Sequence, residues 1–572
     1  MRPRVTAVVI LGSVLALAPL LLHRGFALVG DMSFVPFQPW KGEWLGLDGT
    51  VPRAVPADAV VSVLTHVVPG DLVQKAILLG SLVLAGSGVL QLLRRLPGVA
   101  SMGAALLYVW NPYVYERLAI GHWGLLVGYG ALPWVLDAAL GVRAGRSGAS
   151  RRLLLWLAVA AVGSPTGGVL AAVTAVVVVA SRRRRRRLWV VLASGAVANL
   201  PWLVPALLTS VETSDPAGVA AFSAAADSPM GLWGSLLGLG GIWKESVVPD
   251  ERSTVLLGAL AAVVGLTALA AVARSAVRSP GDRAAADLAP RRLLVLGVGA
   301  LLAAGLPGTA VGGQVLEWLV STVPGAGLLR DSQKLLMPFA LVVAVGFGLF
   351  LDGVRRRLPR DGRFAVPALL ALLPVLLLPT LGWGLAGRLE PVQFPREWTV
   401  VRAELEQAGA ADDRVLVLPW AAYRSYPWNE HRAVLDPAIR FFPGEVLTDQ
   451  DLVLDDVTVR GDDPTAAVIS AALDSGSSLE EVVHDHDVRW VLVEKGAPLT
   501  QPLPGGTVRH DGAGLLLLET DVAPGRAQRA AATDGVIVAV DVLAGLVVAG
   551  VAGTLLWDRL VRRRSSQGPT IG

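Results

Sequence analysis

The sequence predicts a polytopic α-helical membrane protein of about twelve transmembrane helices with one extracytoplasmic α/β domain. Hydrophobic residues make up 53% of the 572-residue chain, charged residues only 17%, and the mean hydropathy is +0.56, a balance unlike that of soluble domains. Apolar stretches of about 20 residues, the length that crosses the hydrocarbon core of a bilayer, recur along the chain. Short arginine-rich loops separate them and indicate the cytoplasmic side.

The predicted crossings begin from a cytoplasmic N-terminus. They fall near residues 5–22, 72–93, 98–113, 121–140, 153–163, 168–180, 188–208, 254–273, 292–306, 333–352, 364–384 and 534–557. This count places every strong basic cluster on the cytoplasmic side, including the run from Arg182 to Arg187 and the arginines between 559 and 564. No small-residue cleavage site follows the first apolar run, which is typical of a retained signal anchor.

The apolar stretch from Leu153 to Ala180 is long enough for one tilted helix, but both of its flanks are basic. A single crossing would place one basic flank outside. The stretch is therefore predicted to break at Gly163-Ser-Pro-Thr-Gly-Gly168 into two short helices, because proline and paired glycines favour a break. Such a break either lines a site or forms a plain helical hairpin, and both interpretations stay open.

The chain divides into three parts. Residues 1–386 hold the first eleven crossings and a first extracytoplasmic loop at 23–71. Within this loop, Pro52 to Val68 indicates an amphipathic helix on the membrane surface. Its apolar face would consist of Val55, Ala59, Val60, Leu64 and Val67. Residues 387–530 have the composition of a soluble α/β domain on the extracytoplasmic side, with buried strands at 414–420 and 488–494, helices at 398–409 and 466–473, and a terminal hairpin at 507–520. Residues 531–572 supply the last crossing and a basic cytoplasmic tail.

Composition also excludes several kinds of site. The chain has no cysteine, which rules out disulfides, iron–sulfur clusters and thiolate zinc sites. The seven histidines lack metal-ligand spacing, and His484 and His486 are too isolated, so no structural metal is predicted, although a divalent metal is not excluded. The positive net charge of +4 lies in short runs beside apolar stretches, which indicates topology rather than a nucleic-acid partner.

Asp31 is the candidate catalytic residue. It stands directly after the first crossing, between Gly30 and Met32. A carboxylate at the membrane face is a plausible general base, because partial desolvation raises the pKa of a carboxyl group towards the working pH. An aspartate after a helix is also a common cap or turn residue.

Two further clusters lie at the outer ends of crossings. In the first, Glu116, Arg117 and His122 could contact the phosphate or sugar of a lipid-linked substrate, or form one ion pair in an interfacial aromatic belt. In the second, Arg330 and Lys334, with Asp331 between them, are four apart and predicted to share one helical face. Two cations there could hold a phosphate leaving group, or anchor lipid headgroups by snorkelling.

In the outer domain, Tyr426, Trp428 and Asn429 are candidate glycan-binding residues. They follow the strand that ends at Trp420, within the phrase WAAYRSYPWNEHR. Aromatic rings beside an amide suit stacking on a sugar and hydrogen bonding to it. Packing onto the membrane region explains them equally well.

Several phrases carry a resemblance to a known family. GDMSFVPFQPW, VWNPYVYERLAIGHWGLLVGYGALPW and LLRDSQKLLMPFAL resemble actinobacterial GT-C-type membrane glycosyltransferases, particularly the arabinofuranosyltransferase-like proteins of cell-envelope synthesis. In the outer domain, VLVLPW, YPWN and VRWVLVEK resemble the extracytoplasmic domain of related proteins. The resemblance implies a GT-C-like fold, a polyprenyl-phosphate sugar donor, inverting transfer outside the membrane and a catalytic carboxylate in the first outer loop, at Asp31. The family often has a paired acidic motif, whereas this chain has a single aspartate there.

The sequence thus favours a membrane glycosyltransferase that transfers a sugar to a cell-envelope glycan or glycolipid. Its expected partners are membrane lipids, the lipid-linked donor and the envelope acceptor, with no nucleic acid and no cofactor beyond the donor substrate. Two alternatives belong to other classes. One is a flippase or exporter of envelope glycolipid, which requires a hydrophilic path across the bilayer. The other is a non-catalytic scaffold for envelope assembly.

Overall fold

The computed structural model describes residues 3–209, 214–277, 287–454, 457–496, 499, 502–524 and 531–565. Most of this chain is helical. The helices span Pro3–Ala16, Ala18–Leu22, Ala57–Thr65, Gly70–Leu92, Gly98–Val109, Pro112–Ala119, Trp123–Ala144, Ala149–Gly163, Pro165–Val179, Arg185–Leu208, Ala217–Phe222, Gly231–Leu237, Val255–Val277, Pro290–Gly305, Ala310–Thr322, Met337–Arg357, Gly362–Ala371, Leu373–Leu377, Gly382–Ala386, Arg396–Gln407, Ala438–Phe441, Pro464–Asp474, Leu479–Asp485 and Ala531–Ser565. Residues 383–385 in the short Gly382–Ala386 segment have left-handed backbone angles.

Seven helices of the described chain are long and apolar enough to cross a membrane. They are Gly70–Leu92, Trp123–Ala144, Arg185–Leu208, Val255–Val277, Pro290–Gly308, Ser332–Arg357 and Thr533–Asp558. A further pair, Gly362–Leu377 and Pro379–Ala386, is bent by 70° and raises the number to eight if it counts as one span. The chain is therefore a multi-helix membrane protein, and the predicted number of about twelve crossings stays a prediction.

The predicted break in the long apolar stretch is confirmed. One helix ends at Gly163 and the next begins at Pro165, with Ser164 between them in an extended conformation. The Ser164 hydroxyl accepts a hydrogen bond from the Gly167 N–H group (3.0 Å), which caps the second helix. A Cβ atom on Gly124 would lie 2.1 Å from the Gly163 carbonyl oxygen, so the turn packs backbone to backbone beside the start of helix Trp123–Ala144.

Basic loops meet at one end of the helical bundle. Arg143 donates to the Val178 carbonyl (3.0 Å), and Arg184 and Arg187 both donate to the Arg143 carbonyl. Arg292 donates to the Ala180 carbonyl (2.6 Å). Arg143, Arg184, Arg187 and Arg292 therefore lie close together at one end of the bundle.

The α/β domain predicted at residues 387–530, called the outer domain here after its predicted location, is built on a five-stranded sheet. The strands of the whole domain, inside and outside that sheet, are β1 (Arg414–Leu418), β2 (Tyr423–Ser425), β3 (Ala433–Leu435), β4 (Glu445–Leu447), β5 (Leu452–Leu454), β6 (Val457–Val459), β7 (Val488–Glu494), β8 (Thr507–Asp511) and β9 (Leu515–Glu519). The sheet order is β4-β1-β7-β9-β8, with β4, β1 and β7 parallel and the other pairs antiparallel, while β2–β3 and β5–β6 form separate hairpins. Both predicted buried strands, both predicted helices and the terminal hairpin are confirmed, because short β-branched apolar runs between polar residues are a strong local signal.

The first outer loop contains the helix Ala57–Thr65, which is shorter than predicted. Its buried face is partly polar, with Asp58 only 2% exposed. The predicted apolar face on the membrane surface is wrong in part, because two of its residues, Val55 and Ala59, are buried inside the protein. The cause is Arg440 of the outer domain, which pairs with Asp58 at 2.9 Å and draws the polar face inward. The exposed apolar side chains of the helix are Val60, Val63 and Leu64.

The pair between Asp58 and Arg440 yields a stability prediction. Asp58→Asn leaves the Arg440 guanidinium buried without its counter-charge, and we expect the free energy of unfolding to fall by about 3 kcal/mol. The matched control is Glu406→Gln, which removes the solvent-exposed partner of Arg402 (3.3 Å) and should cost less than about 1 kcal/mol. Denaturant unfolding of the detergent-solubilised protein, followed by tryptophan fluorescence, measures both, and equal small losses would contradict the prediction.

Candidate active site

Asp31 is placed by a close contact between two glycines. Gly30 has φ +53° and Gly121 has φ +85°. A Cβ atom on Gly30 would lie 2.0 Å from the Ile120 carbonyl oxygen, and one on Gly121 would lie 2.3 Å from the Val29 carbonyl oxygen. Only glycine fits at either position. The contact lets the Asp31 N–H group donate to the Ile120 carbonyl (3.0 Å) and so sets the first outer loop against the turn that carries His122.

The Asp31 carboxylate has one partner on each oxygen. Oδ2 lies 3.1 Å from Nε2 of His122, and Oδ1 accepts a hydrogen bond from the Tyr423 hydroxyl at 2.5 Å. The side chain remains 42% exposed. Since a carboxylate offers about four lone-pair sites, Asp31 keeps free acceptor positions that a substrate can reach.

The protonation of His122 follows from its neighbours. Nη1 of Arg117 lies 2.7 Å from Nδ1 of His122. Arginine has no acceptor, so Nδ1 must be the accepting nitrogen, and in the neutral ring the proton sits on Nε2 and points at Asp31. Burial and the nearby charges of Lys334 and Arg117 lower the pKa of His122, against the opposing effect of Asp31. His122 is therefore a neutral donor to Asp31.

The predicted rise in the pKa of Asp31 is wrong. Burial does act to raise it, but the hydrogen bonds from His122 and Tyr423 and the charge of Lys334 outweigh burial and hold the pKa well below its usual range. Desolvation alone would have raised the pKa, and the hydrogen-bond donors come from segments distant in the sequence. Asp31 is thus a carboxylate that is fully ionised at neutral pH.

The structure brings Glu116, Arg117, Asp331 and Lys334 into one buried network beside His122. Arg117 forms two hydrogen bonds with the Asp331 carboxylate (2.9 and 3.2 Å) and another with Gln333. Gln333 donates to Glu116 (2.8 Å), and Nζ of Lys334 lies 3.4 Å from Asp331. Arg117 and Lys334 hold the pKa of Asp331 well below its usual range despite burial.

This burial corrects the expected roles of Glu116 and Arg117. Both side chains are 0% exposed, so a substrate does not reach them in this structure. Arg117 instead contacts His122 and Asp331, and Glu116 joins the network through Gln333. Burial and the neighbouring Asp227 raise the pKa of Glu116 well above its usual value, which favours its protonated form.

Beyond Glu116 the network ends in a second ion pair that the sequence analysis missed. Asp227 acts on the charge of Glu116 and pairs with Arg252 at 2.6 Å. Arg252 also donates to the Ser235 carbonyl (3.0 Å). No sequence signal singled out Asp227 or Arg252, because their partners come from distant segments.

Arg330 and Lys334 do not share a helical face as predicted. The segment forms two 3₁₀ turns, Ala326–Leu329 and Ser332–Leu336, so the two side chains diverge. Lys334 turns towards Asp331, whereas Arg330 lies 3.8 Å from Asp462 of the outer domain. The guanidinium of Arg53, in the first outer loop, also pairs with Asp462. Two arginines therefore share one aspartate at the edge of the site.

The candidate glycan-binding residues lie in the core of the outer domain. Tyr426 is buried and donates to Glu494 (3.0 Å), and Asn429 is fully buried and donates to the Leu28 carbonyl (3.1 Å). The Tyr426 and Trp428 rings stack on each other at 4.7 Å, and Trp428 also packs on Phe394. Burial keeps a sugar from Tyr426 and Asn429 in this structure, whereas Trp428 is only partly buried.

One cluster in the described chain has metal-ligand geometry. It consists of the exposed residues Glu480, His484 and Asp521 on the outer domain, whose ligand atoms lie within 4.8 Å of one another. None of the three contacts Asp31, and none belongs to the buried network.

Comparison with known proteins places the fold. No family model and no curated protein matches the sequence. The solved structure of the arabinofuranosyltransferase AftD from mycobacteria matches 92% of this chain with a TM-score of 0.58 at 15% identity, and a mutant form matches 92% with a TM-score of 0.52 at 16% identity. The chain spans 40% and 42% of those two structures. The structure of ArnT from Cupriavidus metallidurans aligns with 90% of this chain and 98% of the ArnT chain at 13% identity. Its TM-score of 0.35 is too low to indicate a shared fold. The chain thus has a membrane fold similar to that of mycobacterial AftD, in line with the resemblance of its sequence.

Proposed function

We propose that this protein is an inverting glycosyltransferase that transfers a sugar from a polyprenyl-phosphate donor to an envelope glycan or glycolipid on the extracytoplasmic face. The observation that carries the proposal is the setting of Asp31. It is an ionised, partly exposed carboxylate between a neutral histidine and a tyrosine. The charge of Lys334 acts on it directly, and those of Arg53 and Arg330 act on its neighbours Tyr423 and Asp331. An acceptor hydroxyl needs such a base, and a departing phosphate needs such cations.

The reaction is a single displacement. The acceptor hydroxyl attacks the anomeric carbon and gives its proton to Asp31, while the bond from that carbon to the phosphate oxygen breaks and the lipid phosphate leaves with the electron pair. Attack opposite the leaving group inverts the configuration. Lys334 and Arg330 would neutralise the charge that develops on the phosphate.

The proposed topology places the site on the outer face. Helix Trp123–Ala144 begins beside His122 and ends beside Arg143, a length of about 33 Å at 1.5 Å per residue. The site and the basic loops therefore lie at opposite ends of one membrane-spanning helix. Because short basic loops stay in the cytoplasm, Asp31 and the outer domain would lie outside, with both termini inside. Membrane lipids, the lipid-linked donor and the envelope acceptor are the proposed partners.

Replacement of the proposed base tests the function directly. We expect Asp31→Asn to lower transfer from synthetic polyprenyl-phosphate sugars by about 10² to 10⁴-fold, the usual contribution of a general base. Asp48→Asn is the matched control, because Asp48 lies in the same loop and its carboxylate accepts a hydrogen bond from Thr50 rather than contacting Asp31. Full activity of purified Asp31→Asn would refute the role, and donor that accumulates on the inner leaflet of deletion cells would favour a flippase.

Substitution of Arg117 separates positioning from substrate binding. Arg117→Lys removes the planar fork that holds both Asp331 and His122, and lysine does not reproduce it. We expect kcat to fall roughly tenfold or more while KM changes little, because the side chain is buried away from substrate. Steady-state kinetics of the purified variant measure both constants. A large rise in KM with unchanged kcat would mean that Arg117 binds substrate.

A further inference from the structure

The outer domain holds the Asp31 loop by its backbone. Gly30 donates its N–H group to the Ala433 carbonyl (2.8 Å) and accepts from the Leu435 N–H group (2.8 Å). The Asn429 side chain donates to the Leu28 carbonyl (3.1 Å). Gly30 therefore forms an isolated β-bridge with Val434 in β3, although the two segments are about 400 residues apart in the chain.

The side chain of Tyr423 comes from the strand next to β3. In the β2–β3 hairpin, Tyr423 pairs with Leu435, the same residue that binds Gly30. This register carries the phenol to the carboxylate, where the hydroxyl donates to Oδ1 of Asp31 at 2.5 Å. Burial and the nearby Asp31 raise the pKa of Tyr423 well above its usual value, so the phenol keeps its proton and stays a donor.

We propose that Tyr423 is a positioning residue of the active site, by which the outer domain sets the orientation and the proton affinity of Asp31. The inference rests on the proposed function, in which Asp31 is the base. His122 binds one carboxylate oxygen and Tyr423 the other, so together they fix the plane of the carboxylate. The remaining lone pairs then face the open side of the site, where the acceptor hydroxyl must come.

The same hydrogen bond sets how strongly Asp31 holds a proton. A hydrogen bond to the charged form of an acid stabilises that form and lowers the pKa. Besides Tyr423, the groups that face Asp31 are His122, Lys334 and Arg440, and all of them stabilise its charge. Loss of the Tyr423 hydroxyl therefore raises the pKa of Asp31, and the acid limb of the rate profile moves to higher pH.

Tyr423→Phe is the decisive variant, because it removes only the hydroxyl. We expect kcat to fall roughly ten- to hundredfold, the effect of losing one hydrogen bond to a charged group, and the acid limb of kcat against pH to move upward. Ser425→Ala is the matched control in the same strand, since its hydroxyl donates to the His431 carbonyl (3.0 Å) and not to the site. This control should keep the wild-type profile.

Two further measurements separate the possible failures. If Asp31→Asn remains active, the proposed function fails. If Asp31→Asn is inactive while Tyr423→Phe keeps both the wild-type kcat and the wild-type pH profile, only the positioning role of Tyr423 is overturned. Should Tyr423→Phe not fold, a fluorinated tyrosine at position 423 keeps the ring and the donor. Its more acidic phenol should move the acid limb to lower pH, and an unmoved limb would overturn the proposal.

Discussion

The close approach of Gly30 and Gly121 is the constraint on which the site depends. Each has a positive φ angle, and a Cβ atom on either would overlap a backbone carbonyl of the other segment. On its other side, Gly30 is bound by the backbone of β3. Asp31 therefore sits on a loop that is fixed by backbone contacts from both sides. A carboxylate held in this way loses little freedom when a substrate binds, which is how preorganised sites gain rate.

The arginines of the buried network are paired with aspartates, whereas an arginine at its edge keeps a donor without a partner in the described part of the chain. Arg252 is paired with Asp227, and Arg117 with Asp331. Arg53 and Arg330 share the single carboxylate of Asp462, and Nη1 of Arg330 is buried without a hydrogen-bond partner among the described residues. A guanidinium donor without a partner in the described structure thus lies beside Asp462, at the edge of the buried network. An anionic phosphate is the group that such an edge would attract.

Local patterns in the sequence predicted local structure well. Proline and glycine between two basic flanks predicted the break at Ser164, and apolar runs predicted β1 and β7, because each signal acts over a few residues. Contacts across the chain were out of reach. Tyr423 meets Asp31 across 392 positions, and Asp58 turns inward because of Arg440, which no periodicity reveals. The predicted shared helical face of Arg330 and Lys334 was wrong for a different reason. A spacing of four residues places two side chains on one face only in an α-helix, and this segment forms 3₁₀ turns.

The pKa of Asp31 depends both on its position in the sequence and on contacts from distant parts of the chain. The sequence places a carboxylate at a membrane face, and desolvation alone would make it a stronger base. The structure adds two donors and a nearby cation, which make it a weaker base but keep it ionised. A weak base still serves if its donors give way as the acceptor binds, because each lost hydrogen bond raises the proton affinity at the moment of transfer. His122 is held from behind by Arg117, whereas the Tyr423 hydroxyl can rotate about its C–O bond while the hairpin stays paired with Gly30. The phenol is therefore the donor that can give way without moving the Asp31 loop.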